Sequence, residues 1–318
     1  MAAAIETDNL SKDFLVGFWR RRPYRALDGL TLQVEPGEVF GFLGPNGAGK
    51  STTIKLLMQL IYPTSGRAHI FGRPPGDLSV RRRVGYLAEN PYFYDYLTAE
   101  EVLTYFAKLL LVPSADVKPR VSRILDEVGI GAERRMRLRQ FSKGMLQRVG
   151  LAQAIIHEPE LVVLDEPMSG LDPQGRREVR DLILRLRARG CTVFFSSHIL
   201  SDAEMLCTRV GIMAQGRLVS SGRLGDIVEF ELKGWEIIVS AMSDAVQAEL
   251  RPKVRGLTMV ADGRWAIDLP AEARPEPVVA ELSRRGVRVE SMNPVRDTLE
   301  DFFLRQVRSA DARRTGGL

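Results

Sequence analysis

The chain has 318 residues, 45% of them apolar and 27% charged, with a net charge of +5. That length predicts about two domains with ample chain for a buried core, and the composition excludes wholesale disorder, collagen-like repetition and low complexity. No run approaches the ~18 apolar residues of a bilayer span, Met1 to Phe18 lacks a basic-then-apolar signal peptide, and so small a positive excess does not by itself argue nucleic acid, so a chain kept in the cytoplasm that crosses no membrane itself is expected.

Thr31 to Val34 alternates, Glu35-Pro36-Gly37 is a turn and Glu38 to Leu43 is an apolar run, for which a hairpin is the simplest reading. Ile54, Leu57, Met58 and Ile61 then follow the spacing of a helix with one buried face. A strand thus feeds a loop that opens a helix. After a strand at Val84 to Leu87, Thr98-Ala-Glu-Glu101 is a capping box, and Val102, Leu103, Phe106, Leu109 and Leu110 form an apolar stripe that ends before Pro113, so residues 95–140 read as mainly helical. Leu161 to Leu164 and Thr192 to Phe195 are continuously apolar, as parallel strands covered on both faces must be, with a helix pattern at Arg176 to Arg189 between them. The strand-helix-strand order predicts an α/β core with a parallel sheet. Cys191 and Cys207 lack metal-type spacing and read as core hydrophobes in a reducing compartment.

Past Gly222 the pattern changes. A connection over 223–233 leads to an α+β module over 234–307, in which Trp235 to Ser240 alternates, Asp244 to Leu250 and Pro277 to Arg285 are helix-like, and Leu257 to Val260 and Trp265 to Leu269 flank an Asp262-Gly263 turn. Residues 308–318 read as a flexible tail. Arginine clusters at 20–22, 81–83 and 134–139 read first as solvated faces.

Gly44-Pro45-Asn46-Gly47-Ala48-Gly49-Lys50-Ser51, followed by Thr52, matches the phosphate-binding pattern G-x-x-x-x-G-K-[ST] between a strand and a helix. Glycines let successive backbone N–H groups converge on phosphates, the helix N-terminus favours an anion, Lys50 reaches the β and γ phosphates and Ser51 ligates Mg²⁺. Leu161-Val-Val-Leu164-Asp165-Glu166 adds carboxylates at the end of a buried strand: Asp165 to hold the metal, directly or through water, and Glu166 to polarise the attacking water as general base.

From about residue 5 to 222 the chain resembles the ATP-binding subunits of ABC transporters. The resemblance rests on motif order: Phe141-Ser142-Lys143-Gly144-Met145 with Leu146-Gln147-Arg148-Val149 resembles the family's signature, Ser169-Gly170-Leu171-Asp172 the loop after the carboxylate strand, and His198 after Phe194-Phe195-Ser196-Ser197 the switch histidine. The resemblance implies a P-loop fold with an antiparallel strand layer and a helical subdomain over about 90–140, within a domain spanning 1–222. It implies ATP and Mg²⁺ as cofactors, and a head-to-tail dimer, of like or unlike subunits, in which Ser142 and Gly144 of one subunit close on ATP held by the other. His198 would contact the γ-phosphate and Asp172 would tie the subunits together. Lys143 and Met145 stand where the family usually has glycine and glutamine. Glu89 stands where it usually has glutamine, and a carboxylate there can still bind Mg²⁺ or water. Phe14 is the candidate to stack on adenine, with Phe18, Trp19 and Tyr24 as rivals.

Such a subunit would dock on a separate transmembrane permease through residues 90–140, at the cytoplasmic face of the membrane and without nucleic acid. The C-terminal module resembles the extension of exporter ATPases that pump drugs, lipids or other hydrophobic compounds, with Pro294 to Phe303 resembling that family's closing helix. A soluble ABC-type ATPase acting on nucleic acid or the ribosome is the alternative. A non-hydrolysing ATP binder is disfavoured by the Asp165-Glu166 pair.

Overall fold

The structure is a computed structural model that describes residues 2–17, 22–227 and 232–296. β1 (Ile5–Val16) and β2 (Arg22–Val34) pair antiparallel, with Ile5 opposite Val34 and Phe14 opposite Tyr24. Leu10, Leu27, Leu30 and Val34 are buried, as a sheet with one covered face requires. β3 (Val39–Leu43) is buried at every position and feeds α1 (Lys50–Leu57). β4 (Ser65–Ile70) returns to β1 and completes a three-stranded sheet ordered β2-β1-β4. A short α2 (Leu78–Arg81) precedes β5 (Val84–Leu87).

The helical region holds α3 (Ala99–Leu109), α4 (Ser114–Glu127) and α5 (Lys143–Ile155). α3 opens with a reciprocal cap, Glu101 N donating to Thr98 Oγ1 at 3.2 Å and Thr98 N to Glu101 Oε2 at 2.8 Å. Then come β6 (Leu161–Leu164), α6 (Pro173–Ala188), β7 (Thr192–Ser197), α7 (Leu200–Leu206), β8 (Arg209–Ala214), β9 (Arg217–Arg223) and α8 (Leu224–Ile227). The central sheet runs β5-β6-β7-β3-β8-β9 and is parallel except at β9. Its core joins the small sheet: Leu10, Leu27 and Leu30 pack with Phe40, Phe42, Phe194, Ile54 and Leu57, and the Phe40 and Phe194 rings stack at 5.7 Å. Each such side chain contributes about 1.5–3 kcal/mol by burial.

Contacts divide the chain into two compact units, the second beginning at residue 228. There β10 (Leu232–Ser240), α9 (Asp244–Leu250), β11 (Gly256–Ala261), β12 (Arg264–Pro270), α10 (Pro275–Arg284) and β13 (Arg288–Arg296) form an antiparallel sheet ordered β11-β12-β10-β13. Ile237, Val239, Ile267 and Leu269 pack with Val246 and Leu282 from its two helices. Of the expected connection over 223–233, Leu224–Ile227 form α8, and Leu232 and Lys233 belong to β10. The expected tail over 308–318 lies outside the described residues.

Three expectations need correction. Thr31–Val34 and Glu38–Leu43 are not a hairpin. β2 pairs with β1, whereas β3 lies between β7 and β8 in the other sheet, because a strand buried on both faces belongs at a sheet centre. The first helix stops at Leu57, with Gln59 at φ +53°, so Ile61 packs on the core from beyond it. Pro294–Arg296 belong to β13, not to a helix; the rest of the expected closing helix lies outside the described residues. Arg83 and Arg134 are tied down, to Glu160 at 2.6 Å and Glu100 at 3.3 Å.

Candidate active site

β6, β7 and β3 lie side by side, and their registers set Leu164 beside Phe195 and Leu43 beside Ser197. β3 and β7 end level and β6 ends two residues short of them, so the loop after β3, Asp165 and Glu166 after β6, and His198 after β7 emerge at one edge. The carboxyl ends of adjacent parallel strands are where such sheets open a crevice. A cavity of about 620 Å³ lies there, lined by residues 45–52, Glu89, Glu166, Ser169 and His198, with Phe14, Tyr24 and Ala26 from β1 and β2.

Backbone geometry shapes the loop. Gly47 and Gly49 adopt φ of +80° and +102°, a region that glycine enters without steric cost. A Cβ on Gly44 would lie 2.6 Å from the Met213 carbonyl oxygen. α1 begins after Gly49 with no side-chain cap, so the amides of its first turn await an external acceptor, for preference an anion.

Lys50, 5% exposed, donates to the Gly44 carbonyl at 2.6 Å and the Pro45 carbonyl at 3.3 Å and pairs with Glu166 Oε1 at 3.2 Å. The other Glu166 oxygen lies 2.8 Å from His198 Nδ1. Glu166 thus sits between a cation and an imidazole. Its backbone has φ +49°, a left-handed position that costs a non-glycine residue on the order of 1 kcal/mol or more. The strained turn is pinned: Glu166 N donates to Ser196 Oγ at 2.9 Å, and the Glu166 carbonyl accepts from Ser169 N at 3.1 Å.

Asp165 Oδ1 accepts from Ser196 Oγ at 2.7 Å and from Ser51 Oγ at 3.2 Å. Burial pushes its carboxyl above the usual range; the two serine hydrogen bonds oppose this, Glu166 adds to it and Lys50 counters it. Ser51 and Asp165 therefore present hard oxygen donors side by side, and Glu89 lines the same cavity as Ser51. Among the described residues no cluster of three or more His, Cys, Asp or Glu is set to hold a metal. A two-residue donor set suits Mg²⁺, which keeps water and phosphate oxygens among its ligands.

Five predicted residues lie outside this cavity's lining: Gly44 and Asp165, which hydrogen-bond to its Lys50 and Ser51, and Ser142, Gly144 and Asp172. Ser142 caps α5, accepting from Met145 N at 3.2 Å, which leaves its own O–H free to donate. Asp172 caps α6, accepting from Gly175 N at 2.8 Å. Lys143 folds over the loop after Glu166, so close that a Cβ on Gly170 would lie 2.9 Å from its Nζ. Of the aromatic candidates, Phe14 and Tyr24 both line the cavity as a cross-strand pair, and Lys12 Nζ lies 5.2 Å from the centre of the Phe14 ring. Phe18 and Trp19 lie outside the described residues. Ser196 and the Lys50–Glu166 pair were missed from sequence, since both depend on β7 lying beside β6 and β3. The signal for Ser196 was its polar side chain at the end of an otherwise apolar strand.

A family model described as ABC transporter matches residues 27–169. An ABC transporter ATP-binding protein of Synechocystis is 42% identical over 309 residues, 96% of this chain and 85% of that one. The bacitracin transport ATP-binding protein BcrA of Bacillus licheniformis is 36% identical over 313 residues, 96% of this chain and 98% of that one. A solved ATP-binding subunit of an ABC transporter superposes with a TM-score of 0.63 at 34% identity, covering 70% of this chain and 91% of that one.

Proposed function

This chain belongs to the ABC transporter family as an ATP-binding, ATP-hydrolysing subunit, and we propose that it drives export of a small hydrophobic, drug- or lipid-like compound through a separate transmembrane permease by closing a dimer on ATP. The observation that carries the dimer is the division of the site. Residues 45–52, Glu89, Glu166 and His198 line one cavity, and Asp165 is hydrogen-bonded to its Ser51, whereas Ser142, Gly144 and Asp172 lie outside its lining. A second subunit's Ser142 hydroxyl and Gly144 amide would complete the phosphate site, head to tail.

Within each site the first-turn amides of α1 bind phosphate and Lys50 leaves Glu166 for the phosphate oxygens. Ser51 and Asp165 would hold Mg²⁺, which supplies charge neutralisation at the phosphates. Glu166, released from Lys50 and still oriented by His198, accepts the proton of the attacking water. Phe14 or Tyr24 supports adenine, and Glu89 lines the same cavity.

Two observations support the transport reading. Tyr92, Tyr94, Tyr96 and Tyr105 are exposed in the segment after Glu89, an aromatic surface suited to a permease loop. The BcrA match spans both compact units, accessory unit included, which favours a hydrophobic cargo. No helix among the described residues is long and apolar enough to cross a membrane, so the chain would act at the cytoplasmic face, on a pore made by another polypeptide.

ATP should double the mass of the Glu166→Gln chain in light scattering, and adding Ser142→Ala should weaken that doubling. A monomer at saturating ATP in both variants overturns the dimer. Cargo and direction are tested by co-purifying the permease and measuring ATP-driven drug uptake into inverted vesicles; accumulation in right-side-out vesicles instead overturns export.

A further inference from the structure

α6 and α7 each follow a loop of the reaction centre. Asp172 caps α6, and His198 precedes α7 by two residues. An ion pair joins the two helices: Arg180 Nη1 lies 3.1 Å from Asp202 Oδ1. The Asp202 side chain is 2% exposed, and its Oδ2 has no hydrogen-bond partner among the described residues. A carboxylate so enclosed is tolerated because of its cation; without it, the group must move toward water.

α7 has little freedom to absorb such a change. Leu200 and Ala203 of the same turn are buried, as is Leu206 beyond them. Expelling Asp202 therefore rotates or lifts the helix as a unit, and the start of α7 is coupled to the end of β7. Ser197 Oγ accepts from Ile199 N at 2.9 Å and donates to the Ile199 carbonyl at 3.2 Å. His198 is the residue enclosed by that turn, with Nδ1 at 2.8 Å from Glu166 Oε2.

We infer that Arg180 and Asp202 are positioning residues: their pair clamps α7 to α6 so that His198 stays in register with Glu166, and it links that histidine to the loop that ends at Asp172. A shift of α6 at a subunit contact would then be felt at His198 through a single buried pair. The inference rests on the proposed role of His198 at the γ-phosphate.

The test is a double-mutant cycle in the full chain, reading single-turnover hydrolysis and ATP affinity for Arg180→Met, His198→Ala and both together. Arg180→Met should lower the hydrolysis rate about 3- to 30-fold with ATP affinity unchanged, and Arg180→Lys should restore most of the rate. The double variant should be no slower than His198→Ala alone. A parent-like rate for Arg180→Met overturns the inference, as does a loss that multiplies with that of His198→Ala. Asp202→Asn, which keeps the shape and removes the buried charge, reads the same cycle if Arg180→Met does not fold. A parent-like rate for His198→Ala removes the histidine's role and this inference with it, whereas an effect at His198 without one at Arg180 removes only the clamp.

Discussion

Replacing Glu166 by glutamine separates two roles of one carboxylate. Its Oε1 lies 3.2 Å from Lys50 Nζ, the two side chains being 9% and 5% exposed, so solvent screens the pair little. Leaving one member of a buried pair uncompensated costs about 3–5 kcal/mol. The Gly44 and Pro45 carbonyls still accept from Lys50, which places the effect near the lower end, about 3 kcal/mol. For a unit of this size each kcal/mol moves the melting temperature by about 2–4 °C, so the nucleotide-free variant should melt about 6–12 °C below its parent. ATP returns negative charge to Lys50, so the rise in melting temperature on adding ATP should be larger in Glu166→Gln than in the parent. Turnover should fall about 10²–10⁴-fold, or about 2.7–5.5 kcal/mol in the barrier. Scanning fluorimetry with and without MgATP, alongside phosphate release, reads both. Parent-like melting without nucleotide would refute the Lys50–Glu166 pair as a stabilising contact, and parent-like hydrolysis would refute Glu166 as the base.

Three further outcomes are expected. Phe14→Ala and Tyr24→Ala should each raise KM for ATP about 2- to 12-fold with kcat unchanged, if both faces of the cross-strand pair support the base; a substitution that leaves KM alone removes that ring from the adenine site. Burial holds the His157 imidazole below its ordinary value, with Arg120 acting the same way, and neither ring nitrogen has a hydrogen-bond partner among the described residues. The folded chain therefore protonates this ring at a lower pH than the unfolded chain, which takes up the proton near about pH 6.5; its contribution is complete above that pH and is lost as pH falls below it. His157→Leu should flatten the slope of the urea midpoint between about pH 6.5 and 5, and equal slopes would refute the assignment. Truncation after Ile227, where the first compact unit meets the second, should leave a folded ATPase, read by its melting transition and phosphate release; an insoluble fragment would refute the independence of that unit.

What was legible in the sequence was contiguous. Gly44 to Ser51 declares its chemistry because the groups that would bind phosphate and metal lie within eight successive residues, and the cap at Thr98 and Glu101 is visible for the same reason. Strand faces were legible too, but not strand partners. Val39-Phe-Gly-Phe-Leu43 has no polar face, which by itself argues against pairing with the half-exposed β2; the intervening turn at Pro36-Gly37 outweighed that pattern and suggested a hairpin. The turn bridges two sheets instead. Contacts that depend on strand order were out of reach: Ser196 meets Asp165 across 31 positions, and His198, itself a candidate from the sequence, meets Glu166 across 32. Lys143 is the informative intermediate. Its departure from the family pattern was plain in the sequence, yet only the fold places its side chain over Gly170. The consequence of that substitution is therefore to be sought first within its own subunit, at the loop after Glu166, before any contact with a second one.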